Sequence, residues 1–157
     1  MSLRTFLVVF CLLLANQAFG EGVPVTGQCD FKLPAGVSSS GDVFRANPCL
    51  LSIVPSGKQL VVEFITARVN LPEKQVPNII IQASSPKLEG GTIQANHQIA
   101  LSVGPRTVAL RDNYLATHMA RIYTKEHLVI VGTRGGSSTG EATFVVTWTG
   151  YLVDVAQ

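Results

Sequence analysis

The chain has 157 residues, of which 46% are hydrophobic and 14% charged, with a formal net charge of +2. That length suits one domain with a real core. The charges are few and scattered, which excludes the clustered Lys and Arg of a nucleic-acid footprint. No basic amphipathic helix points to membrane-surface binding.

The N-terminus reads as a cleavable secretory signal over residues 1–20. Arg4 supplies the positive start, Phe6 to Ala15 is an unbroken apolar run, and Ala18-Phe19-Gly20 offers small residues around a cleavage point. A spanning helix needs about 20 apolar residues, and this run stops at Asn16 and Gln17. Cys11 lies inside the run rather than at the cleavage point, which excludes lipid anchoring. No later stretch reads as a membrane span. The expected mature protein is exported, to the periplasm or the medium.

Cleavage removes one of three cysteines and leaves Cys29 and Cys49. In an exported chain an even count points to a disulfide. Such a cross-link would stabilise by roughly 3 kcal/mol in the chain-entropy model. Two free thiols or a metal pair are the alternatives. Without a close His or third Cys, two cysteines make a poor zinc site.

Residues 21–48 are rich in Gly, Pro, Ser and Asn, and Gly36 to Gly41 reads as a loop. This segment is expected to wrap the surface of a domain formed by residues 49–157. From Cys49 onward the pattern is that of strands. Leu50 to Val54 is short and apolar, and Pro55-Ser56-Gly57-Lys58 is a turn. Gln59 to Leu71 is the longest strand candidate, with Leu60, Val62 and Phe64 on one face and Val61 and Ile65 on the other. Asn78 to Ser84 is a second β-branched run. Pro86 to Asn96 reads as a connection.

His97 to Val103 alternates, with Ile99, Leu101 and Val103 expected inward. Thr107 to Leu110 suits a short edge strand. Asn113 to Thr124 also has helical spacing, but its Thr, Ile and Tyr content favours a strand, expected over Thr117 to Thr124. Leu128 to Val131 is a strand, Thr133 to Gly140 a Gly- and Ser-rich loop, and Thr143 to Val155 a long closing strand. About seven to nine strands without a helix predict an all-β antiparallel sandwich. A jelly-roll-like topology is the first expectation and an immunoglobulin-like one the second. The latter lacks support, because both cysteines precede Trp148 by a long way rather than flanking it.

The stretch from Val54 to Arg68, Val-Pro-Ser-Gly-Lys-Gln-Leu-Val-Val-Glu-Phe-Ile-Thr-Ala-Arg, resembles a recurring "VPxGKxLxIExxSAR" segment of small secreted bacterial proteins. The ending Thr149-Gly150-Tyr151-Leu152-Val153 is similar to the "SGYLV" close of the same group. The resemblance implies a bacterial exported β-sandwich and no particular activity.

Candidate chemistry is sparse. His97, His118 and His127 are candidate metal ligands, provided a fold gathers them across strands. No two of them have the close spacing of a metal motif on one strand. No Gly-x-Ser-x-Gly elbow announces a hydrolase. Gly132 to Gly140 lacks the Lys of a phosphate loop. Arg134, with the loop's hydroxyls and backbone N–H groups, is a candidate anion or sugar binder. Tyr114, beside Asp112-Asn113, is the exposed aromatic candidate for stacking, whereas Trp148 shares a face with Phe144, Val146 and Leu152 and belongs to the core.

The reading is a non-enzymatic exported binding or surface-interaction module without cofactor. Its partner would be a glycan, an envelope component or a protein, with no nucleic acid. The alternatives are a metal-dependent or hydrolytic enzyme, and a structural subunit that assembles through exposed strand edges.

Overall fold

The computed structural model describes residues 22–38, 50–87, 89–105, 111–136 and 139–155. The signal-peptide reading, Cys49 and the strand expected at Thr107 to Leu110 lie outside the described residues. The described chain is all β. In order come β1 (Val23–Leu33), β2 (Leu50–Ile53), β3 (Lys58–Pro72), β4 (Val76–Pro86), β5 (Thr92–Ile99), β6 (Ser102–Val103), β7 (Arg111–Thr124), β8 (His127–Gly135) and β9 (Ala142–Asp154).

The strands form two sheets, β1-β9-β3-β7-β6 and β2-β8-β4-β5. Their pairing is nested. β1 pairs with β9, β2 with β8, β3 with β7 and β4 with β5, all antiparallel. This is one long antiparallel ribbon wound on itself. The pairings β3–β9 and β4–β8 then join neighbouring turns of the winding. The result is a jelly-roll sandwich, with β6 as a two-residue addition beyond β7.

The core follows from period-2 alternation. On β9, Ala142, Phe144, Val146 and Trp148 point inward. On β4, Ile79, Ile81 and Ala83 do so, and on β8, Leu128 and Ile130. Phe31 stacks on Phe144 with ring centroids 4.8 Å apart. Gly132 on β8 makes room for that stack, since a Cβ there would lie 2.5 Å from the Phe31 ring.

On β3 the alternation is interrupted. Leu60 and Val62 are buried, and then Ile65, Ala67, Val69 and Leu71, while Phe64 is exposed. The register of β3 shifts between Val62 and Phe64 against both β7 and β9. Such a bulge moves every later side chain to the opposite face. This corrects the expectation that Phe64 shares a face with Leu60 and Val62. Gly150 lies beside the bulge, and a Cβ on it would come within 2.1 Å of the Val61 carbonyl oxygen.

Two further expectations are corrected. Val23 to Leu33 is not a surface wrapping but a full strand of the sandwich, with Cys29 and Leu33 in the core. The stretch His97 to Val103 is not one strand. β5 ends at Ile99, β6 starts at Ser102, and Val103 is exposed rather than inward. β8 also runs on to Gly135, through the first residues of the expected loop.

Candidate functional site

Arg134 and Tyr114, unrelated in the sequence, meet at the same residue. β8 alternates Leu128, Ile130, Gly132 and Arg134 inward, so the guanidinium enters the sandwich at its end. Arg134 is 4% exposed. Its Nε donates to the Val37 carbonyl at 2.8 Å and its Nη2 to the Pro34 carbonyl at 2.6 Å. Its Nη1 donates to the Gly140 carbonyl at 2.8 Å and to Gln75 Oε1 at 3.3 Å. The Arg134 backbone N–H donates to the Ser38 carbonyl.

Gln75, 1% exposed, completes the arrangement from the β3–β4 turn. Its Nε2 donates to the Thr139 carbonyl at 2.8 Å, and its own carbonyl accepts from the Tyr114 hydroxyl at 3.0 Å. One cation and one amide thus tie together the chain leaving β1, the β3–β4 turn, the β8–β9 connection and β7.

This geometry answers for both candidates. An anion-binding arginine needs donors turned to solvent, and those of Arg134 are met by protein oxygens. A stacking platform needs an open ring, and Tyr114 packs partly buried against the core. The expected exposure of Tyr114 is therefore corrected, and so is the expected loop setting of Arg134, which lies in β8 with its guanidinium buried. The electrostatics agree. Burial pushes Arg134 below its ordinary range, because the charge has left water. Burial, and secondly the charge of Asp112, push Tyr114 above its ordinary range. The phenol therefore stays a donor through the usual tyrosine range, and the stability it contributes, full below that range, is lost as the pH rises from the ordinary value through the raised one.

The three histidines do not come together as a metal centre. His118 lies on β7 in the first sheet, paired with Ile65. His97 lies on β5 opposite Ile81, and His127 opens β8 opposite Ser84, both in the second sheet. Among the described residues no group of three or more His, Cys, Asp or Glu could hold a metal ion.

Ser84 Oγ and His127 Nε2 are 3.0 Å apart, within reach for a nucleophile and base. Ser84, however, is buried beneath the β7–β8 turn. Its carbonyl accepts from Lys125 N, Glu126 N and Thr124 Oγ1. The pair anchors that turn. Cys29 lies in the core, 3% exposed, and is disulfide-bonded.

The sheet edges offer a surface of another kind. An edge strand presents unpaired backbone donors and acceptors, which proteins blunt with charge, Pro, bulges or short length. β1 carries Pro24, Asp30 and Lys32, β2 has four residues, and β7 carries Arg121 beside its register shift. β5 has none of these. Its sequence, Thr-Ile-Gln-Ala-Asn-His-Gln-Ile, contains no charged residue and no Pro, and its register with β4 is unbroken.

Among the described residues β5 pairs with β4 alone. Gln94 and Gln98 bond Gln82 and Asn78 across the strands, which holds the pleat regular. Ile93 stands 53% exposed. The sequence reading missed this surface, because it ran the first half of β5 into a connection and the second half into a different strand. The uncharged alternation of Ile93, Ala95, His97 and Ile99 was the available signal.

Among the described residues no helix is long and apolar enough to cross a membrane. No family model and no curated protein matches the chain. Among solved structures it is similar to a chain of the Bacillus endospore appendages, described as forming "a novel family of disulfide-linked pili". The identity is 9%, over 85% of this chain and 93% of that one, with a TM-score of 0.28. At that level the likeness carries no argument about function.

Proposed function

We propose that this protein is an exported structural subunit that joins other copies of itself through the free edge of β5. The observation that carries the reading is that edge: eight residues, regular, uncharged and paired on one side only among the described residues. Two such edges meet without like-charge repulsion, and a two-fold arrangement would continue the four-stranded sheet from one copy into the next. Export rests on the signal-like residues 1–20 and on the resemblance to small secreted bacterial sandwiches. The disulfide at Cys29 agrees with an oxidising compartment, and its partner on this reading is Cys49. The Arg134–Gln75–Tyr114 arrangement is framework that holds the loops at one end of the subunit.

Light scattering on the size-exclusion eluate of the purified mature chain tests the proposal. The wild type is expected to elute as a dimer or larger species whose share grows with concentration. Asn96→Lys, which puts a charge on the edge strand, is expected to weaken association by about tenfold or more, since like charges brought together cost several kcal/mol. A wild type that stays monomeric at every concentration would end the reading.

A further inference from the structure

The five-stranded sheet carries a further surface on the face turned away from the core. Strand pairing lays its side chains out in rows. Tyr151, Val61 and Tyr123 form one row across β9, β3 and β7, and Thr149, Phe64 and Met119 form another. Phe64 and Tyr123 are exposed, and Met119 is 83% exposed. Val61 is buried yet stands outside the core cluster, between the two tyrosines. A lone exposed apolar side chain needs no explanation, whereas Met and aromatic side chains gathered on one face mark an interaction surface.

The register shift shapes this patch. Between the pairs Val62–Ile122 and Phe64–Met119, β3 has Glu63 alone and β7 has both Ala120 and Arg121. A dent of about 320 Å³ opens among Glu63, Met119, Ala120 and Arg121. Arg121 Nε lies 3.9 Å from Glu63 Oε1, and both side chains are exposed. That distance is too long for a hydrogen bond, so each charge keeps its capacity to pair with a group outside the chain.

We infer that this patch is a second contact between copies of this chain, related by a two-fold axis. Such a contact brings a patch against itself, so the patch must be its own complement. It is so in shape, because each copy offers a projecting Met119 and a dent beside it. It is so in charge, because each copy offers one Glu63 and one Arg121, and the axis sets the Glu63 of one copy against the Arg121 of the other. A partner surface of a single charge sign would instead leave one of the two facing a like charge. β5 lies in the other sheet, so one copy has room for both contacts. Chain growth rests on the β5 reading: with both contacts in place they alternate, and copies add on without closing.

Charge reversal in the Asn96→Lys protein, whose β5 edge is weakened, tests the contact by light scattering on the size-exclusion eluate. Asn96→Lys alone is expected to form dimers. Adding Arg121→Glu, or adding Glu63→Arg, sets like charges against each other across the axis, and each is expected to weaken the dimer about tenfold or more. Mixing the two reversed proteins in equal amounts should restore a dimer of one of each, because every Glu then meets an Arg. Both positions are exposed, so circular dichroism of the folded sandwich should not change. Three results would each overturn the inference: Asn96→Lys protein that stays monomeric up to millimolar concentration, dimers that neither reversal weakens, or reversed proteins that stay monomeric when mixed. The first of these, with the wild type still associating, leaves the β5 reading standing. Wild-type association that Asn96→Lys leaves unchanged and the reversals abolish would support this contact and count against the β5 edge.

Discussion

Replacing Arg134 by alanine is expected to lower the unfolding free energy by about 3–5 kcal/mol, because it removes several hydrogen bonds to a charged group at once and leaves their buried acceptors unmet. A hydrogen bond to a charged group contributes about 1.5–3 kcal/mol, and Arg134 makes four with its side chain. Alanine would leave the carbonyls of Pro34, Val37 and Gly140 without that donor and open a void among them. Against a typical domain stability of about 5–15 kcal/mol, this is a large fraction.

Arg134→Lys separates charge from geometry. An ammonium cannot fork to acceptors on three separate segments, so it should recover less than half of the loss. Urea denaturation of the three proteins measures both effects. A loss under about 1 kcal/mol for alanine would show that the loops hold without the guanidinium.

The second large effect is expected at Cys29. Cys29→Ser should cost about 2–5 kcal/mol, the usual loss on removing a native disulfide from a small secreted domain. The substitution also puts a hydroxyl into a core site that is 3% exposed. Reduction of the wild type should reproduce most of the cross-link's share and should leave Cys29→Ser unaffected. Thermal unfolding with and without reductant measures this. A wild type indifferent to reductant would show that the cross-link contributes no stability.

These two positions show what the sequence did and did not reveal. The all-β sandwich and most strand positions after Cys49 followed from alternation and turn residues, and the jelly-roll order matches the first expectation. β1 was hidden by composition. Pro24, Gly27, Asp30 and Lys32 make it read as loop. Yet Val25, Cys29, Phe31 and Leu33 keep period 2 through it, and Gly27 interrupts them only because Trp148 fills its place.

Arg134 was misplaced for a similar reason. Its Gly and Ser neighbours suggest a loop, while the alternation from Leu128 assigns it an inward slot at the end of β8. Gln75 carries no local signal at all. Its role depends on three segments distant in sequence, which no short window contains. The bulge at Glu63 likewise depends on the neighbouring strands, so the facing of Phe64 could not be read from β3 alone.

On the proposed function, β5 is a pairing edge. Backbone amide hydrogen exchange tests it most directly, because a new strand neighbour protects the amides that β4 leaves free. In concentrated protein, amides within Thr92–Ile99 should exchange more slowly than in dilute protein, while the free edge of β1, blunted by Pro24, Asp30 and Lys32, should not change. Exchange across β5 that is the same at every concentration would contradict the account.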